Sequence, residues 1–327
     1  MFQVRCYKLT ASAKNLSSRA ITGKWWRRAT GREFTSRIEA IRQAEQLPFG
    51  STHYRKYDRY LNHAKNHPAK MNRKLIEFLV STYTKRDETV MDVMAGAGSL
   101  GVVASQLGRH SVHVELELEF VRWADEASLK VAEDANVDFT GFIVNVHGDA
   151  RQASQYVKSV DFVLTSPPYL DQNRYSDIEK RVKQLAESKT TGVGKQAAVG
   201  KYRIHYSPSK RNIGNLNEKK YFRAMTKVYK ECFKVLKKGG LAAVVVRPLT
   251  RNKSVFDLPY RTWLILQKVG FRLVDIYTTK IPRSLWTNIY EEHYPLVAKI
   301  RRDYIIVVRR PRSSRSVASH IMSKTAF

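Results

Sequence analysis

A short apolar run, Phe162-Val163-Leu164, ends in Thr165-Ser166-Pro167-Pro168-Tyr169. A strand that finishes in Ser-Pro-Pro-Tyr brings three groups to the rim of a sheet: a hydroxyl, a backbone carbonyl without competing amide donors, and an aromatic plate. The two prolines carry no N–H and fix φ, so the Pro167 carbonyl is presented rigidly. Ser166, Pro167, Pro168 and Tyr169 together suit a planar ring that bears an exocyclic amine. The amine donates to the hydroxyl and the carbonyl while the phenol ring stacks on the base.

A second cluster lies upstream, in Asp92-Val93-Met94-Ala95-Gly96-Ala97-Gly98-Ser99. A glycine-rich turn between a strand and a helix is where a nucleotide-like ligand docks against backbone. Gly96 and Gly98 are expected there because a β-carbon would meet the ligand. Glu115 follows about 20 residues on, at the end of the next strand, where an acid can accept from both ribose hydroxyls; Glu117 and Glu119 read as solvated charge. His147-Gly148-Asp149-Ala150 closes a third strand. Asp149 there either accepts from an adenine amine or caps the next helix. A glycine turn, a ribose acid and a late Asp describe a pocket for an adenosine without phosphates, and no Gly-x-x-x-x-Gly-Lys-Ser/Thr loop is present, which disfavours a nucleotide hydrolase.

The elements that must position these groups alternate. Apolar spacing from Met71 to Leu79 predicts a helix, Thr89–Val93 a buried strand, 102–107 a helix, 111–114 a strand, 120–131 a helix and 142–146 a strand. Phe162–Leu164 comes next, then a helix over 218–237 that is expected to stop at Gly239-Gly240. Leu241–Val246 reads as a buried strand, 261–269 as a helix, and 273–277 and 304–308 as strands. Repeated β-α-β units with continuous apolar strands imply an α/β fold with a doubly wound, mostly parallel sheet.

The order of these elements resembles the S-adenosylmethionine-dependent amino-methyltransferases of nucleic acids, most closely the cytosine-N4 DNA methyltransferases. His67-Pro68-Ala69-Lys70-Met71 is similar to the motif that precedes the family's glycine turn, and Asp92–Ser99 to the turn itself, with Met94-Ala95 where many relatives have Pro-Phe. Thr165–Tyr169 with Arg174-Tyr175-Ser176 matches the catalytic strand end, and Val235–Gly240 a late helix-to-strand turn. The resemblance spans about residues 53–310. It implies a class I, Rossmann-like methyltransferase sheet of the seven-stranded type. S-adenosylmethionine is the implied cofactor, held by His67, Lys70, Asp92, Met94, Ala95, Gly96, Gly98, Ser99, Glu115, Asp149 and Ala150. The implied reaction is methylation of a flipped-out base amine in DNA, with room for a restriction endonuclease partner. Ser ahead of Pro-Pro-Tyr favours cytosine N4 over adenine N6. No cysteine stands in the motif, so attack at ring carbon is not suggested. An RNA base amine is the alternative substrate, and Met94-Ala95 is the one departure that would fit a non-catalytic nucleic-acid-binding protein.

Composition agrees with a polyanionic partner: 58 Lys and Arg stand against 29 Asp and Glu in 327 residues, a formal charge of +29. Residues 1–50 hold 10 basic and 3 acidic residues with Trp25-Trp26 beside Arg27-Arg28, and read as a basic arm. The first 32 residues lack any acid, which is also the make-up of an organelle transit peptide. The catalytic domain is expected over 51–310, and a basic tail over 311–327. The interval 171–220 breaks the rhythm with 12 basic and 5 acidic residues, and reads as a lid or recognition element. Its Arg174, Lys180, Arg181, Lys183, Lys201, Arg203, Lys210 and Arg211 are the expected phosphate contacts. Two cysteines, Cys6 and Cys232, make neither a disulfide framework nor a metal-ligand cluster, so no metal is expected and a reducing cytoplasm fits. No apolar run is long enough to span a bilayer.

Overall fold

The computed structural model describes residues 3–9, 45–48, 59–61, 71–134, 136–170, 207, 209–251, 254–280 and 302–312. At its centre the described residues form a nine-stranded sheet. In chain order the strands are β1 (Gln3–Leu9), β2 (Glu45–Leu47), β3 (Thr89–Asp92), β4 (His110–Glu115), β5 (Gly141–His147), β6 (Val160–Thr165) and β7 (Leu236–Val246), followed by a β8–β9 hairpin (Leu249–Arg251, Ser254–Phe256), β10 (Arg272–Lys280) and β11 (Arg302–Arg309). The sheet order is β1-β5-β4-β3-β6-β7-β11-β10-β2, and β8–β9 stands apart. Strands β5, β4, β3, β6 and β7 are parallel, and β11 runs antiparallel between β7 and β10. From β3 the chain winds first toward β5 and then crosses back to β6 and β7, which is the doubly wound arrangement.

Among the described residues six α-helices cover the two faces: α1 (Arg73–Tyr83), α2 (Ser99–Gln106), α3 (Leu118–Ala132), the single turn α4 (Ala153–Tyr156), α5 (Glu218–Val235) and α6 (Leu258–Val269). Alternation along β6 divides its side chains between the layers. Val163 joins Val112, Tyr229 and Leu266 on one face, whereas Phe162 and Leu164 join Leu75, Leu79 and Val103 on the other. The helix starts are set locally. Asn72, Asn217 and Asp257 accept from the N–H groups of Lys74, Lys220 and Tyr260, which satisfies donors that a helix leaves open.

Helix α5 carries an unusual outer face. Its buried stripe includes Tyr221, Met225, Val228 and Cys232, while Lys219, Lys220, Arg223, Lys227, Lys230 and Lys234 take every exposed position. The pairs Lys219/Arg223, Arg223/Lys227 and Lys230/Lys234 fall at i,i+4, where like charges each cost about 0.2–0.5 kcal/mol.

Two expectations are corrected. Gln3–Leu9 and Glu45–Leu47, placed in a basic arm, are strands at the two edges of the sheet; β1 pairs antiparallel with β5, and Arg5 donates to Asp125 at 2.6 Å. Helix α5 ends at Val235, not at the glycine pair, because Leu236 is already extended and opens β7. Gly239, with φ 85°, donates to the Arg310 carbonyl and Gly240 accepts from Arg310, so the pair serves strand pairing and not a helix cap. Gly98 is constrained by packing as well as by its φ of 78°: a β-carbon would sit 2.8 Å from the Ala124 Cβ of α3. Trp25-Trp26 and the tail beyond Arg312 lie outside the described residues.

Beneath the start of α2 a buried polar chain joins four elements. Asp125 accepts from Asn145 Nδ2 at 2.9 Å, and Asn145 Oδ1 lies 2.7 Å from His113 Nδ1. Burial pushes the His113 pKa down to about 4, which keeps the ring neutral. The ring fills the space that Gly101 leaves: a β-carbon there would lie 2.4 Å from His113 Cε1. Gly101→Ala is therefore expected to lower stability by about 1–3 kcal/mol through overpacking, despite roughly 1 kcal/mol of helix propensity gained, as urea unfolding would measure.

Candidate active site

Strands β4, β3 and β6 lie side by side and parallel, so the segments that follow them emerge at one rim. Asp92, Met94, Ala95, Gly96, Ser99, Glu115, Asp149, Ala150, Ser166, Pro167, Pro168 and Tyr169 all line a single cleft there. The glycine turn and the Ser-Pro-Pro-Tyr segment thus share one cavity. Gly98 is not in its wall. His67 and Lys70 lie outside the described residues, as do Arg174, Lys180, Arg181, Lys183, Lys201 and Arg203. Met71, Lys210 and Arg211 are described; Met71 and Arg211 line the cleft and Lys210 is exposed beside it.

The turn is shaped by two carboxylates. Asp92 Oδ1 accepts from the Met94 N–H at 2.9 Å and bends the chain as it leaves β3. Glu115 reaches across from β4: Oε2 accepts from the Gly96 N–H and Oε1 from the Glu117 N–H, both at 2.8 Å. Gly96 has φ 53°, a left-handed conformation that suits glycine. Burial pushes both carboxyls up to about 7, against the backbone hydrogen bonds that favour ionisation. Each Glu115 oxygen accepts one of these N–H bonds and keeps lone pairs for further donors, so the residue fits a ribose diol.

Of its two expected roles, Asp149 takes the cap. It caps the turn after β5 by accepting from the Arg151 N–H at 3.0 Å, and it pairs with the Arg151 guanidinium at 2.8 and 2.5 Å. The cap and this cation outweigh burial and hold its carboxyl below the usual range. Oδ2 accepts only from Arg151 Nη2 among the described residues, which leaves room for an incoming amine.

The Ser-Pro-Pro-Tyr segment is gripped from below. Tyr221, buried in the first turn of α5, donates to the Pro168 carbonyl at 2.9 Å. That bond fixes the second proline, and the Pro167 carbonyl and Ser166 Oγ have no hydrogen-bond partner among the described residues. The Arg247 guanidinium lies 5.7 Å from the centre of the Tyr169 ring, held by two hydrogen bonds of 2.6 and 3.0 Å to Asp303, which is 1% exposed.

Glu117, read from sequence as solvated charge, is an anchor. Its Oε1 accepts from Ser207 Oγ at 2.9 Å and Asn212 Nδ2 at 3.0 Å, which ties the end of the basic interval to the cleft wall. Sequence reasoning also missed Tyr221, Arg151 and the Arg247–Asp303 pair. Arg247 could have been found by the rule that singled out Glu115, since it is the first charged residue after a long apolar strand.

The parallel run β5-β4-β3-β6-β7 with β11 antiparallel between β7 and β10, and a cleft across the strand crossover, define a class I methyltransferase fold. The chain belongs to the N6/N4 DNA methylase family, whose model matches residues 8–126 and 160–321. A type II methyltransferase of Streptococcus pneumoniae, M2.DpnII, is 28% identical over a match that covers 28% of this chain and 42% of that protein's length. Among solved structures, TrmN from Thermus thermophilus aligns with 73% of this chain and 48% of its own at 14% identity and a TM-score of 0.36. A SAM-dependent methyltransferase from Methanosarcina mazei aligns with 72% of this chain and 98% of its own at 11% identity and a TM-score of 0.42. The chain spans less than half the length of the first two proteins.

Because folding raises the Glu115 pKa from 4.5 to about 7, the folded state binds the extra proton between those values, and this carboxyl contributes a loss of stability as pH rises through that window. Glu115→Gln is expected to shrink the difference between urea midpoints measured at pH 5 and pH 8. Tyr221→Phe removes one buried hydrogen bond and should cost about 0.5–1.5 kcal/mol in the same assay.

Proposed function

We propose that this protein methylates the exocyclic amine of a base in DNA, with cytosine N4 as the acceptor and S-adenosylmethionine as the donor. The observation that carries the reading is the shared cleft: Ser166 and Pro167, which supply a hydroxyl and a carbonyl acceptor from one loop, line the same cavity as the glycine turn and Glu115. When bound, the cofactor supplies an electrophilic methyl group on a sulfonium. Glu115 would accept from the ribose hydroxyls, and Asp149 Oδ2 from the adenine amine. Asp92 holds the turn in shape, and Met94, Ala95 and Phe120 offer apolar wall.

An amine conjugated to a pyrimidine is a poor nucleophile because its lone pair is delocalised into the ring. Two hydrogen bonds from that amine, to Ser166 and Pro167, favour a tetrahedral nitrogen and turn its lone pair toward the donor. Tyr169 stacks on the base, and Arg247 fixes the plate. A base within a duplex cannot enter such a cleft, so the target is flipped out or single-stranded. The family supports DNA as substrate, and Ser ahead of Pro-Pro-Tyr supports cytosine over adenine.

Mass spectrometry of nucleosides from DNA of a host expressing the protein is expected to show N4-methylcytosine; N6-methyladenine as the sole product would move the assignment to adenine. Ser166→Ala and Tyr169→Ala should each lower methyl transfer, Ser166→Ala on the order of 10²–10³-fold if its acceptor acts in the transition state, while S-adenosylmethionine affinity stays within about twofold. Labelled methyl appearing in RNA and not in DNA would favour the RNA alternative.

A further inference from the structure

The outer face of α5 takes no part in the cleft, yet its composition is one-sided. Every exposed position of the helix is lysine or arginine: Lys219, Lys220, Arg223, Lys227, Lys230 and Lys234. At 100° per residue these fall within roughly 100° of arc, opposite the buried stripe. Lys234 is paired with Glu231 at 2.6 Å, but Lys219, Lys220, Arg223, Lys227 and Lys230 have no ion-pair partner among the described residues. Neither acid of the helix pairs with these five: Glu231 is buried and accepts from Ser154 and Lys234, and Glu218 pairs with Arg261. A helix surface that serves solubility alone mixes both signs and gains from i,i+4 pairs. This one repels itself along its length, a cost that a polyanion laid against it removes.

The place of the stripe supplies the second observation. Tyr221, whose hydroxyl holds the Pro168 carbonyl, stands between Lys220 and Phe222, so the basic face begins one residue from the group that grips the Ser-Pro-Pro-Tyr segment. It then runs away from the cleft rim along the helix. From Lys219 to Lys230 the reach is about 16 Å, on the order of five base-pair rises of 3.4 Å. We propose that the outer face of α5 is a rail for the phosphates of the duplex that flanks the target base. This assignment rests on the reading of the protein as a DNA-modifying enzyme. It places sequence-independent grip on a rigid helix rather than solely on the interval 171–220.

The experiment compares the intact protein with a variant carrying Lys219→Gln, Arg223→Gln, Lys227→Gln and Lys230→Gln. A control carries Lys8→Gln, Lys85→Gln, Lys158→Gln and Lys268→Gln, which removes the same charge from other surfaces. Affinity for a DNA duplex of about 30 base pairs is measured across a salt series. Each lost phosphate contact should flatten the slope of log affinity against log salt by about 0.9, so the rail variant is expected to lose about 3 or more and the control about 1 or less. Unchanged thermal melting and S-adenosylmethionine binding show that the variant is folded. A rail variant that keeps the wild-type slope, or loses no more than the control, overturns the proposal; so does a loss seen with duplex RNA but absent with DNA. Methyl transfer by the wild-type protein is scored separately. A lost slope together with no methylated DNA would retain the rail and discard the base-amine reading, whereas methylated DNA with an intact slope would discard only the rail.

Discussion

Two register pairs between β3 and β6, Val90 with Phe162 and Met91 with Val163, set the spacing on which the whole cleft depends. They join the strand that ends in the glycine turn to the strand that ends in Ser-Pro-Pro-Tyr, at the place where the winding of the sheet reverses. Helices on the two sides of a reversal diverge, so a crevice opens there without any side chain having to be removed. Phe162 and Val163 are buried in opposite layers, which locks this short pairing from both faces. A slip of one residue would exchange the two layers and carry the Ser-Pro-Pro-Tyr loop away from the turn.

The rest of the site is built by reach from neighbouring elements. Glu115 arrives from β4, Tyr221 from α5 and Arg247 from the position just past β7, the last fixed by Asp303 on β11. Each contact crosses from one element to the next, so cleft geometry and sheet order are the same fact seen at two scales. The polar chain through Asp125, Asn145 and His113 extends this support below the turn, and through Arg5 it reaches the outermost strand.

Much of this was legible in the residues because the parallel strands are short continuous apolar runs and the reactive groups follow them directly. The edge strands were not. β1 is Gln-Val-Arg-Cys-Tyr-Lys-Leu with most of its side chains exposed, and nothing in that pattern separates it from an arm until β5 is there to pair with it. β2 has three residues and no pattern at all. The Gly239-Gly240 pair misled for a related reason: a left-handed glycine after a helix is a cap only when the chain has not already become extended. The roles of Glu117, Tyr221 and Arg247 depend on partners 53 to 95 residues away in the chain, and spacing within the sequence carries no signal for such pairs.

The bond from Tyr221 to Pro168 has one more effect. With the second proline's carbonyl already committed, the loop offers an incoming amine two acceptors, one per hydrogen of a primary amine. On the proposed chemistry, a product that has exchanged one of those hydrogens for carbon can no longer satisfy both. The loop would then hold its substrate better than its product, which favours a single modification per base and clears the cleft for the next turnover.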